Sequence, residues 1–343
     1  MKICARPTAV AVACLFALCW FIISKMSRQS SAVIHDELSE NHPRSDAALQ
    51  PVGTGGTMSQ ASAIRSGDQN VNPTNASAMI VPKPVFSPTL RRLLERPNVC
   101  LRPDELRKLT PEEVNRIIVE YEKISDPTKK RGLVWALGFS VSGAAVDTLL
   151  KAVTTEYSGR ELDVKQAGSA HLAFSMLGVQ GEHSQSALDF LVAGTRVDYW
   201  NGKEPWLLEP ALAENVHWRL AGSCISALGT SGNDLAFKAV TTIRESDSQL
   251  YQGKVASSLM SARFYATMRR DYGSDFLFNE ICFDGSIMMS AYRVWKYTTE
   301  EGRAWSRWAN DVTQVPSVES SPTDAQLAAF NAAVARWRPP TTP

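Results

Sequence analysis

Four acidic residues, Asp198, Glu204, Glu209 and Glu214, surround Trp200 and Trp206 in a stretch rich in Trp, Pro and Gly. Paired carboxylates can cleave a glycosidic bond, one giving a proton while the other acts as base or nucleophile. The spacing here follows no pattern, and unpatterned acids are ordinary in a surface loop. The same stretch also suits partner binding through Trp200, Trp206, Leu207, Glu204 and Glu209, because Trp is over-represented among residues that dominate binding energy; the competing reading is that Trp200 and Trp206 fold back and plug the gap between repeats. His171 and His217 fall in predicted helices of neighbouring segments, where they could face each other. The plainer reading of each is a solvated or hydrogen-bonded helix histidine. His35, His42 and His183 are scattered.

Other chemistry is not written in the chain. It has no His-Glu-x-x-His, no phosphate loop and no Gly-x-Ser-x-Gly elbow. No glycine fingerprint follows a strand, because no convincing strand is present. No catalytic residue, cofactor site or metal site is therefore expected. With 36 basic and 35 acidic residues in 343, the formal net charge is +1. Such a balance supplies no global field to attract nucleic acid. Lys129-Lys130-Arg131 reads as a solvated helix start.

The elements that must position the Trp-rich stretch are helical. A short phrase occurs three times: Leu133-Val-Trp-Ala-Leu137-Gly138, Ala173-Phe-Ser-Met-Leu177-Gly178 and Cys224-Ile-Ser-Ala-Leu228-Gly229. Each is followed by a polar turn and an amphipathic helix. Val146, Leu149, Leu150 and Val153 fall at i, i+3, i+4 and i+7, which gives one apolar stripe. Leu188, Leu191, Val192 and Thr195 repeat that spacing, as do Ala236, Ala239, Val240 and Ile243. Lys151-Ala-Val-Thr-Thr155 recurs as Lys238-Ala-Val-Thr-Thr242. The three glycines are read as left-handed caps that end each first helix. Gly138 and Gly178 are 40 residues apart and Gly178 and Gly229 are 51 apart, so the Trp-rich stretch is an insertion between the second and third units.

These phrases and stripes resemble HEAT-like helical repeats, in which antiparallel helix pairs of about 40–47 residues stack into a curved solenoid. The resemblance covers residues 126–246 and implies an all-α fold, an α-solenoid with irregular terminal helices. An irregular helical bundle is the competing fold. A proline in the first helix and the Asp and basic turn residues usual in such repeats are absent or irregular here.

Helix starts are marked by a capping side chain before proline at Ser87-Pro88, Thr110-Pro111, Asp126-Pro127 and Ser321-Pro322. Helices are expected over 88–95, 103–109 and 111–123, then around Val255 to Ala266 and Ile287 to Trp295, with a tail helix over 322–337. Tyr292, Trp295, Tyr297, Trp305 and Trp308 either offer an aromatic platform or cover the end of the core.

The N-terminus reads differently. Residues 9–23 carry no charge, with Lys2 and Arg6 before them and Lys25 and Arg28 after. Two readings stay open for residues 1–26: an uncleaved signal anchor, or a signal peptide cut near Ala32. Residues 27–86 lack periodic apolar residues and read as a disordered linker, about 40–45 Å in mean reach. Asn75-Ala-Ser77 is a glycosylation sequon, relevant only in a eukaryotic secretory pathway. Residues 87–338 then form the helical repeat domain. Only Cys100, Cys224 and Cys282 lie within it, an odd number, and Cys224 takes an apolar position of the repeat.

The chain thus reads as a membrane-tethered protein, its helical domain outside the cytoplasm, that binds another protein. Secretion after signal cleavage is the alternative location. An envelope enzyme acting on glycan or peptide is a second function. A third is a tethered folding helper, which resembles the lipase-specific foldases in layout although their Arg-x-x-Phe-Asp-Tyr signature is absent.

Overall fold

The computed structural model describes residues 86–208, 216–246, 248–314 and 321–337, and these are mostly helical. The N-terminal segment and linker lie outside the described residues, as do Glu209 and Glu214. Among the described residues no helix is long and apolar enough to cross a membrane.

Three short helices lead in: α1 (Pro88–Glu95), α2 (Pro103–Leu106) and α3 (Pro111–Lys123). Ser87 caps α1, and Thr110 and Glu113 form a full capping box on α3. Glu113 also accepts from the Ser87 backbone N–H at 2.7 Å, which joins the two helix starts. The Asp126-Pro127 start is corrected: residues 127–130 form a turn and the next helix begins at Arg131.

Three helix pairs follow. They are α4 (Arg131–Phe139) with α5 (Gly143–Thr154), α6 (Val164–Gln180) with α7 (Gln185–Gly194), and α8 (Val216–Leu228) with α9 (Asp234–Arg244). A long helix, α10 (Gln249–Tyr272), comes next. The first helices pack in sequence, α4 on α6, α6 on α8 and α8 on α10, while α5, α7 and α9 each lie against two of them.

The glycines do not cap. Gly138 and Gly178 are inside their helices, Gly229 follows α8 directly, and none has a positive φ. They are contact points instead. A Cβ on Gly138 would come closer than 3.0 Å to Met176, on Gly178 to the Ala227 carbonyl, and on Gly229 to the Ala262 backbone. Met176 and Ala227 both stand two residues before their own unit's glycine. The glycine of one unit thus meets the same position of the next twice in register, through the Met176 side chain at the first step and the Ala227 backbone at the second, and Ala262 of α10 takes the corresponding place for the third.

The C-terminal ends of these helices share one polar edge. Gln180 Nε2 donates to the carbonyls of Leu137 (2.8 Å) and Ser140 (2.6 Å). Arg269 donates to the Thr230 carbonyl (2.7 Å) and pairs with Glu182 (2.5 Å). Cations near exposed helix carbonyls offset the negative end of the helix dipole. After α10, Gly273 takes φ 90° and the chain turns through α11 (Ser274–Phe276) into a π-helical turn, Leu277–Ile281. There Phe278 meets Phe139 edge-on at 5.3 Å, Arg107 pairs with Asp275, and Glu280 holds both Arg102 and Arg336.

The last helices are α12 (Gly285–Thr298), α13 (Glu300–Thr313) and α14 (Asp324–Trp337). The Ser321-Pro322 start is shifted: Thr323 caps α14 by accepting from the Gln326 N–H. Trp295 and Trp305 are buried, and Arg244 stacks on Trp305 at 4.3 Å. Those two tryptophans cover core and present no platform.

Two further expectations change. Lys130 is 1% exposed. It pairs with Glu156 and lies 3.7 Å from the centre of the Tyr121 ring. Burial lowers its pKa against the opposing pull of Glu156. The apolar stripes are also narrower than their spacing implies. Val146, Leu149, Leu188, Leu191, Ala236 and Val240 are buried, but Leu150 is half-buried and Val192 is 37% exposed. Burying a charge without a partner is costly, so Leu191→Asp should lower unfolding free energy by about 3–5 kcal/mol. Val192→Asp, one residue on, should change it by less than about 1 kcal/mol. Chemical denaturation of the two variants checks the assignment.

Candidate functional site

The Trp-rich insertion follows α7. Trp200 closes a 3₁₀ turn, Val197–Trp200, and its indole N–H donates to the Gly194 carbonyl at 2.8 Å. Its ring meets Phe174, Phe190 and Tyr199 edge-on. Gly194 is required there, since a Cβ would come closer than 3.0 Å to the Cys224 sulfur. Trp206 enters from the other end of the loop, edge-on to His171 at 5.1 Å and near Tyr157 and Phe174. Beside it β1 (Glu161–Leu162) and β2 (Leu207–Leu208) form a short parallel pair, a feature absent from the sequence expectations.

The expectation that Trp200 and Trp206 offer an exposed binding surface is therefore corrected. Both are 1% exposed and fill the space among α6, α7 and α8. Leu207 is 52% exposed and Glu204 is half-buried. The physical reason is size: two indoles placed at a break between helix pairs gain more from burial than from solvent.

The histidines do not face each other. His171 lies seven residues before Gly178 and His217 twelve before Gly229, so they are out of step along parallel helices. His171 Nδ1 is 3.1 Å from Ser223 Oγ. Ser223 Oγ is also within donating distance of the Arg219 carbonyl, 2.9 Å. Burial, followed by the charge of Arg219, lowers the His171 pKa to about 4. His217 Nε2 meets Glu204 Oε1 at 2.5 Å. Burial raises the Glu204 carboxyl, but the His217 hydrogen bond and backbone N–H groups outweigh it and leave the pKa low.

Beside this loop lies an open groove of about 510 Å³. Its lining includes Arg196, Val197, Asp198, Trp218, Ile243 and Tyr251. The Trp218 and Tyr251 ring centres are 5.7 Å apart with planes inclined at 42°. The Tyr251 hydroxyl donates to the Thr195 carbonyl, and burial raises its pKa to about 12. Arg196 and Asp198 make a two-pronged pair at the rim, 2.6 and 3.2 Å. Sequence reading passed over Trp218 and Tyr251, which sit 33 residues apart on different helices. Of the predicted residues, Asp198 lines the groove and Glu204 comes near it through His217, the neighbour of Trp218 in α8.

Among the described residues, no group of three or more His, Cys, Asp or Glu is placed to hold a metal ion. Cys224 is fully buried, and burial raises its thiol pKa well above the usual value. The described residues thus define an all-α protein built largely of antiparallel helix pairs. No family model matches the chain, and no curated protein or solved structure matches it either.

Truncating a buried Trp leaves a large cavity, so Trp206→Ala should cost about 3–5 kcal/mol in an unfolding titration. His171 gives a pH signature. Its native pKa lies near 4 against an ordinary 6.5, so below pH 6.5 the unfolded chain binds a proton that the native site refuses. Stability from this residue is lost as pH falls from 6.5 to 4 and levels off below. The melting temperature of the wild type should fall more steeply over that range than that of His171→Gln.

Proposed function

We propose that this chain is a non-enzymatic α-solenoid of HEAT-like helix pairs that binds another protein, held at a membrane by its N-terminal segment. The observation that carries the reading is the recurring joint, in which the glycine of one unit meets the same position of the next. An array built on such joints exposes a long surface made from successive second helices and their loops. Per-repeat insertions commonly project from the binding face of an array. Here the two tryptophans pin the insertion down and leave Leu207 outward, 52% exposed. Val192 on α7 and Leu235 and Phe237 on α9 are exposed apolar side chains on neighbouring second helices. The uncharged run 9–23 supports the tether. The absent catalytic motifs favour binding over chemistry.

A photocrosslinking residue placed at Leu207 of the full chain, in membranes of the source cell, tests the reading. One discrete protein adduct is expected from Leu207 and none from the same residue at Lys151, an exposed control on the first pair. Equal labelling from both positions, or none from either, would contradict a binding face at the insertion.

A further inference from the structure

We propose that the groove beside the insertion is a carbohydrate site, in which the C–H face of a pyranose ring lies on Trp218 and Tyr251. The site is separate from the protein-binding surface argued above, and either can fail without the other.

A sugar ring has two kinds of surface. Its flat faces carry C–H groups and gain dispersion against an aromatic ring. Its edge carries hydroxyls, each needing both a donor and an acceptor when taken from water. The groove offers both in the right places. Trp218 and Tyr251, inclined at 42°, make a shallow aromatic trough. Arg196 supplies N–H donors at the rim and Asp198 supplies carboxylate acceptors, and the two are 72% and 61% exposed. Ser246 and Ser248 also line the groove, their hydroxyls engaged with the Ile243 carbonyl and the Tyr251 N–H.

The trough is also held in shape before any ligand arrives. Tyr251 is fixed through its hydroxyl to Thr195, and its backbone N–H donates to Ser248 Oγ. The neighbouring Gln252 donates to the carbonyls of Arg244 and Ser246, which ties the end of α9 to the start of α10. Restricting the site in its binding shape reduces the ordering cost of association.

Other small ligands fit less well. A quaternary ammonium favours aromatic rings backed by uncompensated negative charge. Here Arg196 neutralises Asp198 and adds its own positive charge. A simple anion meets Asp198.

The test uses the full chain, titrated with chitotriose, cellotriose and maltotriose by calorimetry and saturation-transfer NMR. Choline and trialanine serve as comparison ligands. At least one trisaccharide should bind saturably, with choline and trialanine showing none. Trp218→Ala should weaken that binding by about 10-fold or more, whereas Trp218→Phe, which keeps a ring, should stay within about threefold. Thermal melts identify any variant that fails to fold. Arg196→Ala, at the exposed rim, provides a second reading and should weaken binding by about 3–10-fold. The proposal is overturned if no trisaccharide saturates below about 10 mM, a limit near the weakest useful affinity. It is equally overturned if folded Trp218→Ala and Arg196→Ala bind as the wild type does, or if choline binds in place of sugar.

Discussion

The packing of the second helix pair on the third, and of the third on α10, depends on backbone coming against backbone at a glycine. A side chain at Gly178 or Gly229 would occupy the place of a main-chain atom in the next first helix. Main chain cannot rotate out of the way as a side chain can, so the distance between α6 and α8, and between α8 and α10, is set by the missing Cβ. Close approach then lets Leu137, Leu177 and Leu228, each next to its glycine, be almost wholly buried. It also brings the helix ends near enough for Gln180 and Arg269 to reach carbonyls of the preceding unit. A polar bond across that edge helps to fix the register that the apolar contacts leave adjustable.

The insertion meets this scaffold at the step where the spacing lengthens. Trp200 and Trp206 occupy the added room, while Asn201, Gly202, Lys203 and Leu207 face solvent. The division gives one segment two roles. Its indoles are structural, while Leu207 and the Arg196–Asp198 pair stay available at the surface. The aromatic pair Trp218 and Tyr251 lies next to it because α8 and α10 pack against each other.

Local patterns were legible in the sequence where they depend on few residues. Pro88, Pro111 and the Thr110–Glu113 box marked helix starts that the structure places at the same positions. The apolar stripes gave the buried cores of α5, α7 and α9, but i, i+3, i+4, i+7 spacing does not say how wide the covered face is. Val192 is exposed because its neighbours, α6 and α8, cover α7 from the side of Leu188 and Leu191. The glycines were recognisable as a repeat, yet their role depends on a neighbour 38 to 49 residues later, Met176 or Ala227, which no local rule reports. Lys130 illustrates the same limit. Three consecutive basic residues look solvated until Tyr121, Glu156 and Tyr157 are brought around the middle one. Trp218 and Tyr251 share a groove only through the packing of α8 against α10.

The central claim is that the joint glycines are kept free of side chains by the next helix, and an alanine substitution tests it through the sign of the effect. Gly178 is inside α6, where helix propensity alone would make Ala more stable by about 1 kcal/mol. The packing argument predicts the reverse, a loss of about 1–3 kcal/mol from overpacking against the Ala227 carbonyl. Gly143, at the first turn of α5, is the internal control. A Cβ added there would meet nothing within 4 Å, so alanine should be neutral or stabilising. Equilibrium unfolding of Gly178→Ala beside Gly143→Ala therefore gives the most direct measurement. Destabilisation confined to Gly178→Ala is the predicted result. Stabilisation of both variants would contradict the account.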